Sequence, residues 1–109
     1  MAKREIDAKI KKTLENYLAK ISKHYRVDAA YLFGSFANGS QREYSDIDVC
    51  IVSSDIQNQF KDMGKLFALT RGIDTRIEPY PFHTDEFNKG NSSFVYEILR
   101  TGIPIPINV

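Results

Sequence analysis

The chain has little of several features that mark specialised classes of protein. It contains one cysteine, Cys50, in 109 residues, so no disulfide can form within it. No apolar run approaches the roughly 18 residues of a membrane-spanning helix, and the N-terminal stretch "MAKREIDAKIKK" has no apolar signal core after its charges. We therefore expect a cytoplasmic protein without membrane contact. Cys50 lies in the apolar run "IDVCIV" and is expected to be a buried, reduced thiol.

The chain also lacks an excess of charge of either sign. Fifteen Lys and Arg balance fourteen Asp and Glu, which leaves a net charge of +1 and argues against nucleic acid as a bulk partner. The hydrophobic share of 42% and the charged share of 27% are typical of a soluble globular protein. Since there is no repeat, linker or low-complexity tract, residues 1–109 are predicted to form one domain.

The first half of the chain predicts helices and strands in alternation. Apolar residues recur every three or four positions and predict an amphipathic helix from about Lys3 to Tyr25. A strand is expected at 27–33, and a short helix is expected to begin at Ser35 as its N-cap. The segment from Asp46 to Val52 is β-branched and apolar apart from its aspartates, so it predicts a central strand covered on both faces.

The second half predicts a further helix from about Ile56 to Arg71, stopped by Gly72. Its packed face is expected to carry Phe60, Met63 and Phe67. The alternation in "IDTRIE" predicts a half-buried strand at 73–78, and the two prolines that follow it prevent a helix there.

The C-terminal part predicts a short helix and an extended tail. The helix is expected around 94–100, with Asn91, Ser92 and Ser93 as capping candidates. The tail "IPIPINV" is expected to be extended, with its prolines preventing most sheet pairing.

Two aspartates open the predicted central strand. Because side chains alternate along a strand, Asp46 and Asp48 point to the same face while Ile47 points to the other. Two carboxylates on one face repel each other unless a cation lies between them. Mg²⁺ suits such a pair, since it takes oxygen ligands and commonly joins carboxylates to substrate phosphates. Two such ions, about 3.5–4 Å apart, stabilise both oxygens of an in-line phosphoryl displacement.

Residues Gly34 and Ser35 end the preceding predicted strand. A glycine there lets the backbone approach a ligand closely, and the N–H groups at the start of the following helix favour phosphate. Glu78, on a later predicted strand, is the candidate third carboxylate, which would hold a metal or accept a proton from an attacking hydroxyl. This combination predicts a site for a nucleoside triphosphate.

The stretch "LFGSFANGSQREYSDIDVCIV" resembles the signature of the DNA polymerase beta-like nucleotidyltransferase superfamily. Its Gly-Ser, the interval of about ten residues and its Asp-x-Asp between apolar residues carry the likeness. The small size and the form "Ser-Asp-Ile-Asp" resemble most closely the minimal nucleotidyltransferases, the antitoxin partners of HEPN-domain toxins. The resemblance implies an α/β (α+β) fold with a small mixed β-sheet flanked by helices.

The resemblance also implies roles for the site residues. Asp46, Asp48 and Glu78 would bind two Mg²⁺ ions and form the catalytic triad, and Gly34 and Ser35 would bind the triphosphate of ATP. Asp74 is the rival third acid, because in a regular strand it would face the same way as Glu78.

Two further residues are candidates for contact with the nucleotide or the metals. Many relatives carry a basic residue just before the loop glycine, where this chain has Asn38 before Gly39, which leaves Arg42 as the nearest cation for phosphate. Ser45 is expected to cap or orient the strand start, or else to place its hydroxyl near the metals.

By this resemblance the chain would transfer AMP from ATP to a hydroxyl of a partner protein, a tyrosine of a HEPN-type RNase toxin, and would silence that toxin as part of a hetero-oligomer. Two alternatives stay open. In the first, the chain is a non-catalytic nucleotide-binding module that blocks its partner sterically. In the second, it is a subunit of a small-molecule nucleotidyltransferase like those that modify aminoglycosides.

Overall fold

A four-stranded mixed sheet forms the centre of the computed structural model, which describes residues 6–41, 45–90 and 92–107. The strands are β1 (Val27–Phe33), β2 (Ile47–Ser53), β3 (Ile77–Phe82) and β4 (Ile103–Pro104). Their order in the sheet is β3-β2-β1-β4, with β2 and β3 parallel and the other two pairs antiparallel. The predicted mixed sheet is therefore confirmed, and its most deeply buried strand, β2, has a neighbour on each side.

Five helices surround the sheet in the described part of the chain. They are α1 (Ala8–Ile21), α2 (Ser35–Asn38), α3 (Gln59–Ala68), α4 (Thr84–Lys89) and α5 (Ser93–Thr101). Polar side chains before four of them accept hydrogen bonds from first-turn N–H groups, as N-caps do; these residues are Asp7, Asn58, His83 and Ser92. None of these helices is long and apolar enough to cross a membrane.

Alternate residues of β2 pack into two separate cores. Ile47, Val49 and Ile51 face the core formed with α1 and Leu66 of α3. Cys50 and Val52 face the opposite core, which contains Phe87, Val95 and Ile98 of α4 and α5. Burial raises the pKa of the Cys50 thiol to about 12, so the prediction of a buried, reduced cysteine is confirmed.

Helix α1 is shorter than predicted. Its predicted start at Lys3 lies outside the described residues, and it ends at Ile21 rather than Tyr25. The Ser22 hydroxyl donates to the Leu18 carbonyl, and a turn then directs the Tyr25 ring into the core.

Helix α3 presents a different face to the core from the predicted one. Phe60 and Phe67 are 92% and 51% exposed, whereas Asp62 and Leu66 are buried. The Tyr17 hydroxyl donates to the Leu66 carbonyl, and these tertiary contacts set the rotation of the helix. The expectation that the phenylalanines form the packed face is therefore wrong, and the helix also covers only Gln59–Ala68.

The prediction of a strand at 73–78 is wrong in its position. Strand β3 runs from Ile77 to Phe82 and includes both prolines, while Asp74 and Thr75 lie in the preceding turn. In the described sheet β3 pairs only with β2, so it is an edge strand, where a residue without an N–H is tolerated. The side chains of Pro79 and Pro81 fill buried positions, and α4 follows directly after His83, where no helix was expected.

The C-terminal helix and tail agree with the sequence more closely. Helix α5 covers the predicted segment with Ser92 as its cap, and Asn91 lies outside the described residues. The described part of the tail pairs with β1 more than its prolines suggested, and residues 108–109 lie outside the described residues. Ile103–Pro104 forms β4, and the Ile105 N–H donates to the Ala30 carbonyl.

Candidate active site

The sheet brings the three predicted acids to one edge of the molecule. Asp48 is the register partner of Glu78 on the parallel strand β3, and Asp46 lies just before β2. Ile47 and Ile77 are buried in the α1 core, so the Asp48 and Glu78 side chains project from the opposite face. Two of the three predicted acids, Asp48 and Glu78, thus occupy adjacent positions in a strand ladder.

Crowding of these carboxylates changes their protonation equilibria. Burial, followed by the charges of Glu78 and Asp46, raises the pKa of Asp48 to about 6. Burial also raises the pKa of Glu78, as do a hydrogen bond and charge repulsion with Asp46, although the Tyr80 hydroxyl opposes this. The fold therefore holds negative charges together at a cost in stability, which is typical of a functional site.

The donor set fits a hard divalent cation. The three residues offer only carboxylate oxygens, which Mg²⁺ prefers, and none of the ion pairs among residues 6–41, 45–90 and 92–107 involves them. Across the same ranges, no three His, Cys, Asp or Glu side chains already stand at the spacing of a formed metal site. The acids are thus close neighbours whose mutual repulsion a cation would relieve, rather than a preassembled cage.

The turn at Gly34 lies directly against Asp48. Gly34 has φ 73° and ψ −149°, a conformation that side-chain-bearing residues rarely adopt, and a Cβ there would clash with Asp48 Oδ2. Gly34, not Ser35 as predicted, is the N-cap of α2, because its carbonyl accepts from the Ala37 and Asn38 N–H groups. The turn therefore brings the backbone at Gly34 close to the Asp48 carboxylate.

The remaining predicted residues differ in their position relative to the site. Arg42 lies outside the described residues. Ser45 is half-buried and immediately precedes Asp46, at the start of the strand as expected. Asp74 is not on a strand, and Arg76 Nη2 donates to its Oδ2 at 2.7 Å, so hydrogen bonds from this guanidinium hold the pKa of Asp74 below its usual value. The premise that made Asp74 a rival of Glu78 is therefore wrong.

Two aromatic residues near the acids were not predicted. Burial and then the charges of Asp48 and Glu78 raise the pKa of the Tyr80 hydroxyl to about 12. Phe33 is the antiparallel register partner of Asp48, and its ring centroid is 5.1 Å from that of Tyr80. Alternation along β3 could have placed Tyr80 on the face of Glu78, but the position of Phe33 depends on long-range pairing.

Comparison with known families identifies the class of protein. The model of the family "Polymerase beta, Nucleotidyltransferase" matches residues 8–107, nearly the whole chain. The chain therefore belongs to this nucleotidyltransferase family, and the fold class predicted from its sequence is confirmed.

One curated relative is MJ1215 of Methanocaldococcus jannaschii, provisionally named a protein adenylyltransferase. It is 36% identical over 44 residues, which cover 40% of this chain and 51% of MJ1215. The match thus spans about half the length of that relative.

Solved structures share the fold. A provisionally assigned nucleotidyltransferase from Sulfolobus solfataricus superposes with a TM-score of 0.59 at 22% identity, covering 82% of each chain. A toxin–antitoxin structure with AMP-PNP superposes with a TM-score of 0.58 at 18% identity, covering 90% of this chain and 73% of the other. At these identities the likeness shows the fold alone.

Proposed function

We propose that this chain transfers AMP from ATP to a tyrosine hydroxyl of a partner protein. The observation that carries the proposal is the position of Asp48. It lies beside Glu78 in the strand register and against the Gly34 turn, with a pKa raised to about 6. A fold maintains such a crowded acid beside a phosphate-binding turn when a phosphoryl group and its cations are bound between them.

Each residue of the site has a role in this reaction. The backbone at Gly34 and Ser35, together with the Ser35 hydroxyl, would hold the phosphates, and Asp46, Asp48 and Glu78 would hold Mg²⁺. When bound, the metal supplies positive charge that stabilises the attacking and leaving oxygens.

The transfer itself uses the acceptor hydroxyl. Its oxygen forms a new bond to the α-phosphorus while the bond from that phosphorus to the pyrophosphate oxygen breaks. Glu78 accepts the hydroxyl proton on a carboxylate oxygen, and pyrophosphate leaves. Ser45 orients the start of β2, and Arg42 is the candidate cation for contact with the phosphates.

The proposed partner is a HEPN-type RNase toxin in the cytoplasm, silenced within a hetero-oligomer. Three observations support a protein acceptor. MJ1215 is provisionally named a protein adenylyltransferase, and a structure with the same fold is a toxin–antitoxin assembly with AMP-PNP. In addition, helices, strands and short turns account for most of the described residues, which leaves little chain to enclose a second substrate.

Label transfer tests the proposal. Purified protein, Mg²⁺ and each of the four triphosphates labelled at the α-phosphate would be incubated with host-cell extract. We expect label from ATP on one discrete extract protein, with transfer falling at least about 100-fold in the Asp46→Ala/Asp48→Ala and Glu78→Gln variants.

Two control variants keep a fold with one acid fewer. Asp74→Asn removes the carboxylate that Arg76 binds, and Glu86→Gln removes an exposed acid on α4, so both should retain transfer. If the Asp46→Ala/Asp48→Ala protein still neutralised its partner, the sterically blocking module would be the correct description. Transfer to an aminoglycoside-like small molecule instead of a protein would favour the remaining alternative.

A further inference from the structure

An aromatic cluster occupies the same face of the sheet as Asp48 and Glu78. Its four members are Phe33, Tyr80, Phe82 and Phe94. The ring of Phe94, the second residue of α5, has its centroid 5.4, 5.7 and 5.8 Å from the centroids of Phe33, Tyr80 and Phe82. These separations are typical of offset and edge-to-face aromatic pairs. Phe94 is thus the residue that the other three rings hold in place.

The cluster extends to the carboxylates. Phe33 is the register partner of Asp48 and immediately precedes Gly34. Tyr80 follows Glu78 by two residues on the same side of β3. Because Phe94 contacts both rings, it lies one side chain away from the acids.

Part of the Phe94 ring remains open to solvent. Its side chain is 40% exposed, whereas Val95 and Ile98 anchor α5 in the core. Phe67 on α3 is similarly exposed, at 51%, and single exposed aromatic residues need no special explanation. What distinguishes Phe94 is the combination of a ring fixed by three neighbours, an open part and a place beside the acids.

We propose that Phe94 is a specificity-determining residue whose exposed ring receives the phenol ring of the acceptor tyrosine. The inference rests on the proposed function and adds a means of selecting tyrosine. A tyrosine hydroxyl lies at the far end of a rigid ring, so packing that ring against Phe94 would direct the oxygen towards the neighbouring acids. A serine or threonine side chain is too short to contact Phe94 and present its hydroxyl there.

The position of Phe94 favours the acceptor over the nucleobase of ATP. Two of its three ring contacts, Tyr80 and Phe82, are on β3, the strand that carries Glu78. The proposed phosphate donors lie instead at the turn between β1 and α2. An acceptor that loses its proton to Glu78 must approach from the β3 side, where the Phe94 ring stands.

Steady-state kinetics test this role, with ATP labelled at the α-phosphate and the acceptor protein that label transfer identifies. Phe94→Leu removes the ring from a partly exposed position, and Phe94→Tyr retains it. We expect Phe94→Leu to lower kcat/KM for the acceptor about five- to tenfold, the value of one aromatic pair, without changing the KM of ATP. Phe94→Tyr, which keeps the ring, should restore most of this loss, and the control Phe67→Leu should behave as the unmodified protein. An unchanged acceptor kcat/KM in Phe94→Leu, or a raised KM of ATP instead, would overturn the proposal.

A second measurement needs no turnover. The chain contains no tryptophan, so Phe94→Trp places a single fluorescent reporter at the proposed ring site. We expect N-acetyltyrosinamide, but not N-acetylserinamide, to change its fluorescence in a saturable manner, while Phe67→Trp responds to neither. Equal responses of the two reporters would refute the ring site. A specific response without any label transfer would remove the proposed function and leave the ring site standing.

Discussion

Asp62 and Asp48 are both at least partly buried, but the fold shifts their pKa values in opposite directions. Asp62 is 6% exposed on α3, where its Oδ2 accepts from the Gln57 and Asn58 N–H groups and its Oδ1 from the Tyr25 hydroxyl. Burial alone would raise its pKa, but these hydrogen bonds outweigh burial and hold the pKa below its usual value. Asp48 is half-buried beside two other acids, and its pKa is raised.

The difference lies in whether each carboxylate finds compensating partners within the chain. Asp62 is ionised and fully satisfied within the chain, so its charge contributes to stability. Asp48 is ionised at neutral pH only against burial and repulsion, so its charge lowers stability unless a ligand compensates. Burial by itself therefore does not set the direction of the pKa shift; the groups around each carboxylate do.

The largest expected effect comes from pressing a methyl group against Asp48. Gly34→Ala would force a side chain into a positive-φ conformation and into contact with Asp48 Oδ2. We expect a loss of about 3–4 kcal/mol in the free energy of unfolding, from backbone strain and the clash together, measured by denaturant titration. Loss of Mg²⁺-dependent ATP binding should accompany it.

Gly64→Ala is the matched control. Gly64 lies within α3 at an ordinary φ, and a Cβ there would meet nothing within 4 Å. This substitution should stabilise the protein by about 0.5–1 kcal/mol. If both variants had the same stability, the close approach of Gly34 to Asp48 would not constrain the fold.

The next effect tests Asp62. Asp62→Ala leaves the Tyr25 hydroxyl and the Gln57 and Asn58 N–H groups without their acceptor, so we expect a loss of about 2–3 kcal/mol. For a domain of this size, that loss corresponds to a decrease in Tm of roughly 10–20 °C in a thermal melt. Tyr25→Phe, which removes one donor and leaves the acceptor, should cost only about 1 kcal/mol. A loss for Asp62→Ala as small as that of Tyr25→Phe would contradict a cooperative network.

A smaller effect of opposite sign is expected at Asp48. Asp48→Asn removes the charge that Glu78 and Asp46 repel, so the variant should be more stable at neutral pH by about 1–2 kcal/mol, after allowance for solvent screening. Transfer activity should be lost in the same variant. A destabilised Asp48→Asn protein would show that favourable contacts, rather than repulsion, dominate at the Asp48 carboxylate in the folded state.

The sequence predicted which residues come together better than it predicted the elements that carry them. That Asp46 and Asp48 share a face follows from strand alternation, a local property, and the fold brings Asp48 against Gly34 and beside Glu78. The preference for Glu78 over Asp74 rests on the likeness of "RIEP" to the family's third motif, whereas the rivalry between the two acids assumed one strand that holds both. The strand predicted at 73–78 stops short of Pro79 and Pro81, but the edge position of β3 admits both prolines, which only the order of the sheet reveals.

The rotation of α3 was not readable from the sequence for a related reason. Apolar periodicity favoured Phe60, Met63 and Phe67 as the packed face, since burial of an acid carries a large cost without partners. The partner of Asp62 is Tyr25, 37 residues earlier in the chain, and no local pattern connects them. Long-range polar pairs of this kind override the hydrophobic pattern, and they also leave the Phe60 and Phe67 rings exposed.

The pH dependence of stability should separate the two aspartates most finely. An unfolded chain protonates Asp near pH 3.9, whereas folded Asp48 does so at about 6, so the folded state binds more protons between these values. The stability deficit due to Asp48 is therefore present above about pH 6 and disappears as the pH falls to about 4. For Asp62 the folded pKa is the lower one, so its contribution is present above about pH 4 and is lost as the pH falls through that folded pKa.

Urea titrations from about pH 3 to about pH 8 should show the advantage of Asp48→Asn over the unmodified protein shrinking towards acid. The deficit of Asp62→Ala should stay constant down to about pH 4 and shrink only below it. If the free energy of unfolding of the two variants had the same pH dependence relative to the unmodified protein, the pKa values of Asp48 and Asp62 would not be shifted in opposite directions.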